Sequence, residues 1–530
     1  MRVLVFHGYL LRGTGSNIYN AELARWLVDR GHEVQLFCQE RDAPELDFVD
    51  AVGRWEDGQL RTQVLRRPVR CTAYLPDIGG LLPVYVADPY EGFDARPFPQ
   101  LTDAELERYI AANVAAIRDV IAVAEPDEAL ANHLIMGPVI LARALPARIP
   151  YAVAIHGSAL EYTVRPNLER FGPYAREGLA GARGVLVGSR HTAESLWETM
   201  RQPGLPAKTR LLGPGVDVRR FRPCPPERAR ARLRELAAFS EADQQALGPA
   251  GGRPEDLRAA DPARERIVGY VGKLIVSKGV DLLMAAWPLV IQQAPDARLV
   301  VAGYGEYRDA LAGLVRALSD GDLAAAREIA RLGRELEGGP RGELRYLSAF
   351  LDGLTGDAKE RYLAGSRDAM RRVHFTGRLE HDQVSDLMGL SRVVVVPSTF
   401  PEAFGMVLAE AACCGSIPLS SSHSGLAEVT ATLAPALPAG LRDQLSFSLG
   451  PGAVSELAAK ISGWLPAQAA RPQVPAPAQP ELTELASTHF GWPEVADGVV
   501  AAAQGRLSQL EPVPDLAPVL DLAQSAALAC

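Results

Sequence analysis

Short runs of apolar residues recur along the chain, each followed by a stretch whose apolar positions are spaced for a helix. In the first half these runs are RVLVFH (2–7), EVQLFC (33–38), YAVAIH (151–156), GVLVGS (184–189) and TRLL (209–212). Helical patterns fall around 16–30 and at about 102–124. The second half repeats the grammar with RIVGYVG (266–272), RLVVAG (298–303), RVHFTG (372–377), RVVVVPS (392–398) and SIPLSS (416–421). Continuous apolar runs separated by amphipathic helices predict parallel sheets covered on both faces. Two doubly wound α/β domains are the economical reading. A hinge near Pro214–Pro226 (PGVDVRRFRPCPP) joins them, since its prolines and glycine interrupt any regular element.

Three segments stand outside this scheme. Residues 227–262 are charged, Ala-rich and helical. Residues 306–371 make an unusually long connection whose pattern (DLAAAREIARLGRELE, then ELRYLSAFLDGL) predicts several helices, an inserted helical cap. Residues 465–480 (LPAQAARPQVPAPAQP) read as an extended Pro/Ala linker. The expected division is therefore 1–215, a hinge and helical segment at 216–263, a second domain at 264–464, the linker, a C-terminal helix within 481–510 and a tail at 511–530.

Composition narrows the function classes. The chain of 530 residues is too long for one hydrophobic core. A formal charge of −9 argues against a general nucleic-acid binder. Six cysteines (Cys38, Cys71, Cys224, Cys413, Cys414, Cys530) lack CxxC spacing, which disfavours metal sites and disulfide frameworks and suits a reducing compartment. Met1 leads straight into an apolar run with no signal-like region, and no stretch of membrane-spanning length occurs, so a cytoplasmic location is expected. The arginines of VLRRPVR (64–70) read as a solvated face rather than a membrane contact.

Chemistry concentrates at strand ends. FPEAFGMVLAEA (400–411) places Glu402 in a turn after VVVVPS and Glu410 inside the following, largely apolar helix. Ionised carboxylates rarely enter such surroundings unpaired. A carboxylate, with two acceptor oxygens and no donor, suits adjacent hydroxyls. The amides of Phe404, Gly405 and Met406 open the helix and can face an anion. In VGKLIVSKGVDLL (271–283), Lys273 follows Gly272 at a strand end and Lys278 precedes a helix, so two cations can neutralise a diphosphate. Gly13–Ser16 form a glycine-rich turn before the first helix, but neither a GxGxxG nor a P-loop pattern is present. His156 ends the run YAVAIH. Asp320-Gly321-Asp322 lies inside the helical insertion and reads as helix capping rather than a metal–nucleotide motif. Cys413-Cys414 reads as small core residues.

With these residues assembled, the chain resembles family 4 of the retaining glycosyltransferases. The resemblance rests on E-x7-E in PEAFGMVLAEA, then CGSIPLSSSHSGLAEV (414–429), GKL…KG (272–279) and GPGVDVRRFRP (213–223). It also rests on AIHGS (154–158), the GTGS turn with RGHEV (30–34), HFTGRLEHDQV (374–384) and HFGWPEVADGVV (489–500). It implies the GT-B fold: two facing Rossmann-like domains, here with a helical insertion in the C-terminal one and a final helix returning to the first. Glu402, His156, Lys278 and Lys273 are the implied catalytic residues. Glu402 would contact the donor sugar, the two lysines the diphosphate, and His156 the transferred sugar. Gly15, Gly272, Arg378, Leu379, Phe404, Gly405, Met406, Val407 and Glu410 are the implied donor-binding residues, with Glu410 on the ribose and the backbone near Arg378-Leu379 on the base. One departure is lysine at 273, where the family usually has arginine; lysine keeps the charge without the bidentate fork. The implied reaction transfers a hexose from a nucleoside-diphosphate sugar to an unidentified hydroxyl acceptor, with retention and without a metal or other cofactor. A UDP-sugar is favoured over GDP-mannose. The acceptors of the family range over small metabolites, lipids and polysaccharides. A non-catalytic nucleotide-sugar sensor and a GT-B epimerase are the competing readings.

Overall fold

The computed structural model describes the chain except for residues 14, 86–89, 91, 248–249, 262–263, 466–478 and 515–530. Most of the expected linker and tail, and Thr14 of the glycine turn, therefore lie outside the described residues. The chain divides into two compact units, Met1–Gly213 with Val495–Cys530, and Pro214–Glu494.

The first unit begins β1 (Arg2–Phe6), α1 (Gly15–Asp29), β2 (Glu33–Phe37), β3 (Ala51–Glu56), β4 (Gln59–Val64) and β5 (Cys71–Leu75). A separate pair, β6 (Leu81–Val84) and β7 (Asp94–Pro97), precedes α2 (Asp103–Ala124) and β8 (Glu128–Asn132). Then come α3 (Gly137–Ala144), β9 (Tyr151–Ile155), α4 (Leu168–Ala180) and β10 (Gly184–Val187), followed by α5 (Arg190–Met200), α6 (Leu205–Lys208) and β11 (Thr209–Leu211). The sheet order is β18-β11-β10-β9-β8-β1-β2-β5-β3-β4, with β18 (Glu511–Pro512) returning from the C-terminal segment. Among the described residues, only the edge pairings, β3 with β4 and β11 with β18, are antiparallel. Helix α2 starts where a capping box sets it: Thr102 Oγ1 accepts from Glu105 N at 3.2 Å, and Glu105 Oε2 accepts from Thr102 N at 2.8 Å. The arginines around 64–70 are partly structural. Arg66 and Arg70 lie 3.7 and 3.9 Å from the buried Asp50 carboxylate, and Arg66 also donates to the carbonyls of Leu46 and Val49.

The second unit opens with α7 (Pro226–Leu247) and α8 (Pro254–Ala259), the helical segment expected there. It continues with β12 (Arg266–Val271), α9 (Val280–Gln293), β13 (Ala297–Ala302), α10 (Arg308–Asp320), α11 (Leu323–Leu332), α12 (Arg345–Gly353) and α13 (Gly356–Met370). Next are β14 (Val373–Gly377), α14 (His381–Leu390), β15 (Ser391–Val396), α15 (Met406–Cys413), β16 (Ile417–Ser421) and α16 (Ser424–Leu433). It ends with β17 (Ser446–Phe447), α17 (Ala453–Trp464) and α18 (Gln479–Phe490). The sheet, β14-β13-β12-β15-β16-β17, is parallel throughout. The reversal of strand order lies at β12, between β13 and β15, where open α/β sheets hold their ligands.

The insertion is less separate than a cap. Leu311, Leu314, Leu347, Phe350 and Tyr362 belong to the same hydrophobic core as β12 and β15. Tyr362 Oη also donates to Ala285 O of α9 at 2.9 Å. Amphipathic helices of this kind can only bury their faces against an existing core. Asp322 caps α11, accepting from Ala324 N and Ala325 N at 3.1 and 2.9 Å, as expected for that motif. Cys413 and Cys414 are buried in the core.

The C-terminal helical segment is two helices, not one. α18 and α19 (Trp492–Ala503) are broken at Gly491, and the boundary between units falls inside α19. α18 packs on α15, with the Phe404 and Phe490 rings edge to face at 5.7 Å. Gly215 has no room for a side chain, since a Cβ there would meet the Trp492 ring at 2.3 Å.

Candidate functional site

In the second unit β12, β15 and β16 are consecutive neighbours, so the loops leaving their carboxyl ends meet. The first carries Lys273 and Lys278, the second Glu402, the third the serines of SSSHSG. Gly279 permits the approach of the first two: its φ is +65°, and a Cβ would lie 2.0 Å from Pro397 O. Thr399 N donates to Ser277 O at 2.9 Å, stitching the loops together.

Lys278 Nζ donates to Glu402 Oε1 at 2.7 Å, and Ser398 Oγ donates to the same oxygen. These two candidates, 124 positions apart in sequence, are in direct contact. Behind them the turn is fastened by residues to which sequence reasoning gave no role. Glu402 N donates to Ser424 Oγ at 2.9 Å, and Gly425 N to Glu402 O at 3.0 Å. His423 Nε2 lies 2.8 Å from Ser398 O, and its Nδ1 lies 3.0 Å from Ser424 Oγ. Gly425 is required here, because a Cβ would stand 2.7 Å from Phe404 N. The signal was available, since SSSHSG follows a strand adjacent to that of Glu402.

Helix α15 starts directly after this turn. Gly405 is its N-cap and supplies no side-chain cap; Leu408 N donates to Gly405 O at 3.0 Å, which leaves the amides of Met406 and Val407 at the helix start for another acceptor. Phe404, Met406 and Val407 are half-buried, whereas Leu408, Ala409, Ala411 and Ala412 enter the core. Glu410 is 8% exposed, and burial pushes its carboxyl up to about 8 against the opposing influence of Arg220. It is thus no solvated helix position. Arg220, from the hinge segment, is held by Asp382 at 2.9 Å and lies 3.3 Å from His381 Nδ1.

On the β13 side, Lys273 is half-buried and its carbonyl accepts from Tyr270 Oη at 2.9 Å. Gly272 and Gly303 meet back to back; a Cβ on Gly303 would lie 2.0 Å from Gly272 O. The Arg378 guanidinium lies over the Tyr304 ring at 5.6 Å, and the Leu379 side chain is buried in the core. Arg378 is exposed, so its side chain and the local backbone are both accessible there.

The first unit holds its own cluster. His156, at the end of β9, places Nε2 2.8 Å from Asn132 Oδ1 and packs edge-on against Tyr19 of α1 at 4.7 Å. His133 stands 5.0 Å from it, and His7 is 6.0 Å beyond, bonded to Asn17 and Asn20. Burial holds all three imidazoles below their usual range, His156 at about 3 and His7 at about 4, so they are neutral at pH 7. Gly15 opens α1 with open space around it. His7, His133 and Asn132 were not anticipated. Asn132 ends and His133 follows EALAN, an alanine-rich strand with little β signature.

Residues 13–220 match the family described as Glycosyltransferase Family 4, and residues 265–331 and 350–437 match Glycosyl transferases group 1. The chain belongs to the family 4, group 1 glycosyltransferases. This family 4 member is 29% identical over 159 residues to the phosphatidylinositol N-acetylglucosaminyltransferase gpi3 subunit of Schizosaccharomyces pombe, 30% of this chain and 24% of that one. It is 25% identical over 300 residues to the D-inositol 3-phosphate glycosyltransferase of Mycobacterium avium, 56% of this chain and 49% of that one. It therefore spans about half, or less, of the length of these curated relatives. Among solved structures, Anabaena HepE in complex with UDP and glucose aligns with a TM-score of 0.53 at 16% identity, covering 96% of this chain and 100% of that one. That likeness is one of fold, and the fold is GT-B. Among the described residues no helix of this family 4 member is long and apolar enough to cross a membrane.

Proposed function

We propose that the protein is a retaining hexosyltransferase that moves a sugar from a nucleoside-diphosphate donor to a hydroxyl acceptor. The observation that carries this reading is the Lys278–Glu402 pair beside the uncapped start of α15. A cation, open amides and a hydroxyl acceptor converge there, which matches the diphosphate and the sugar of one ligand. Lys278, with Lys273 on the same loop, stabilises the charge that develops on the departing diphosphate, and no metal is required for that task. Glu402 orients the sugar hydroxyls, and Glu410, deeper in the helix, accepts from the ribose pair. The family resemblance assigns Gly15 of the first unit to the donor phosphate and the acceptor, and His156 to the transferred sugar.

In the reaction the bond between the sugar C1 and the diphosphate oxygen breaks. The acceptor oxygen attacks C1 from the same face, and its proton passes to a phosphate oxygen of the leaving group. No enzyme nucleophile is needed. Family membership supports retention, and the UDP and glucose bound by Anabaena HepE favour a UDP-hexose over GDP-mannose. The acceptor is a small metabolite, a lipid or a polysaccharide.

The test is a donor screen by mass spectrometry on purified protein in chelator, with UDP- and GDP-sugars offered against a hydroxyl-compound library. Release of the nucleoside diphosphate with a glycosylated product supports the reading. Donor that binds without being consumed would replace it with a sensor, and an isomerised sugar nucleotide with an epimerase.

A further inference from the structure

The helical insertion reaches the lysine loop through the side chain of Glu337. After α11, Gly333 (φ +52°) turns the chain so closely onto Gly342 that a Cβ would lie 1.8 Å from Gly342 O. Arg334 N donates to that carbonyl at 3.3 Å and closes residues 333–342 into a tight loop. The loop carries a single 3₁₀ turn, Arg334–Glu337. Glu337, 12% exposed at its side chain, points inward, and its Oε2 accepts from Val276 N at 2.7 Å. Its other oxygen faces Arg334 Nε at 3.4 Å.

Val276 opens the 3₁₀ turn Val276–Lys278, whose N-cap, Ile275, provides no side-chain cap. Glu337 therefore caps this turn from 61 positions away. A carboxylate is favoured at the start of a helical turn, and a charge-assisted bond to an amide is stronger than a neutral one. The turn ends at Lys278, whose ammonium lies on Glu402. Backbone bonds also hold the loop, Leu274 N to Tyr304 O at 2.8 Å, Tyr307 N to Leu274 O at 3.1 Å and Thr399 N to Ser277 O, and the hydroxyls of Tyr270 and Thr399 donate to the carbonyls of Lys273 and Ser277 at 2.9 and 3.4 Å. Glu337 brings a carboxylate onto a backbone amide in the lysine half of the loop.

We propose that Glu337 is a positioning residue for the donor diphosphate: by bonding the Val276 amide it sets Lys278, and so makes the 306–371 insertion a working part of the donor site. This rests on the donor-site reading above. Glu337 does not touch the ligand; its negative charge is directed at the buried side of the loop and balanced by Arg334.

Two readouts test this on the full chain with Glu337→Ala and Glu337→Gln. Hydrogen exchange at Val276 reports the anchor itself. Calorimetry with UDP, and with GDP in parallel, reports its consequence, with Lys278→Ala as reference. Glutamine keeps an acceptor oxygen and alanine does not. The expected result is exchange at least about tenfold faster in Glu337→Ala, with nucleotide affinity about tenfold weaker and both near wild type in Glu337→Gln. Alanine with wild-type affinity, while Lys278→Ala loses binding, would overturn the role of Glu337 and leave the donor site standing. Glutamine behaving like alanine would also overturn it. If Lys278→Ala binds as wild type does, the donor-site reading falls and this inference with it.

Discussion

Replacing Glu410 by glutamine removes an ionisable proton while keeping the shape of a carboxyl that the fold has buried in α15. Its carboxyl is pushed up to about 8, which makes it about one-hundredth ionised at pH 6, one-tenth at pH 7 and half at pH 8. On the proposed ribose contact the carboxylate, with acceptors on both oxygens and no donor, suits the two hydroxyls better than the protonated carboxyl, so nucleotide binding should ionise it and release a proton. Affinity for UDP or GDP should therefore rise with pH. Between pH 6 and pH 8 the ionised fraction grows about 50-fold, equivalent to about 2.3 kcal/mol of binding free energy. The terminal phosphate of the nucleotide also titrates near pH 6, but that contribution is common to wild type and variant and cancels in their ratio. Calorimetry at pH 6, 7 and 8 should show wild-type affinity climbing relative to Glu410→Gln, with proton release visible across buffers of different ionisation enthalpy. Equal pH dependence in the two proteins would refute the reasoning, because Glu410 would then either stay protonated in the complex or not meet the ligand.

The same residue shapes stability. Its native pKa lies above the unfolded value of 4.5, so the native state holds the proton over about pH 4.5–8 and stability falls as pH rises through that window; Glu410→Gln should remove about 3 kcal/mol of that decline between pH 5 and pH 8 in urea melts. Asp281, pushed up to about 7 by burial, adds a slope shared by both proteins. Gly279→Ala would need a positive φ and a Cβ 2.0 Å from Pro397 O, so it should cost about 2 kcal/mol or more in the same melts and weaken nucleotide binding through Lys278. Asp322→Ala removes the cap of α11 and should cost about 1 kcal/mol with sugar transfer unchanged, whereas a loss of transfer would show that the motif is more than a cap.

Most strands were legible because a doubly wound sheet needs continuous apolar runs, and RVLVFH, YAVAIH and RVVVVPS leave little choice. The hairpin β3–β4 was not, because β4 is mostly exposed and its QLRTQV reads as polar surface. β8 was hidden by alanines that are buried but weakly β-forming. Glu402 and Lys278 stand out as charges at strand ends, yet their contact depends on β12 and β15 being neighbours, and strand order is not written in local pattern. The upward displacement of Glu410 likewise comes from the whole core closing around α15. Glu337 gave no signal at all: a glutamate in a polar loop acquires a role only when the insertion folds it back onto Val276.

Lys278 and Glu402, on the proposed function, belong to one nucleotide-sugar site. Turnover of the donor found in the screen, measured for Lys278→Ala and Glu402→Ala against wild type, tests it most directly. Each variant should lose about 100-fold or more in kcat while remaining folded. Unchanged turnover in both would contradict the account.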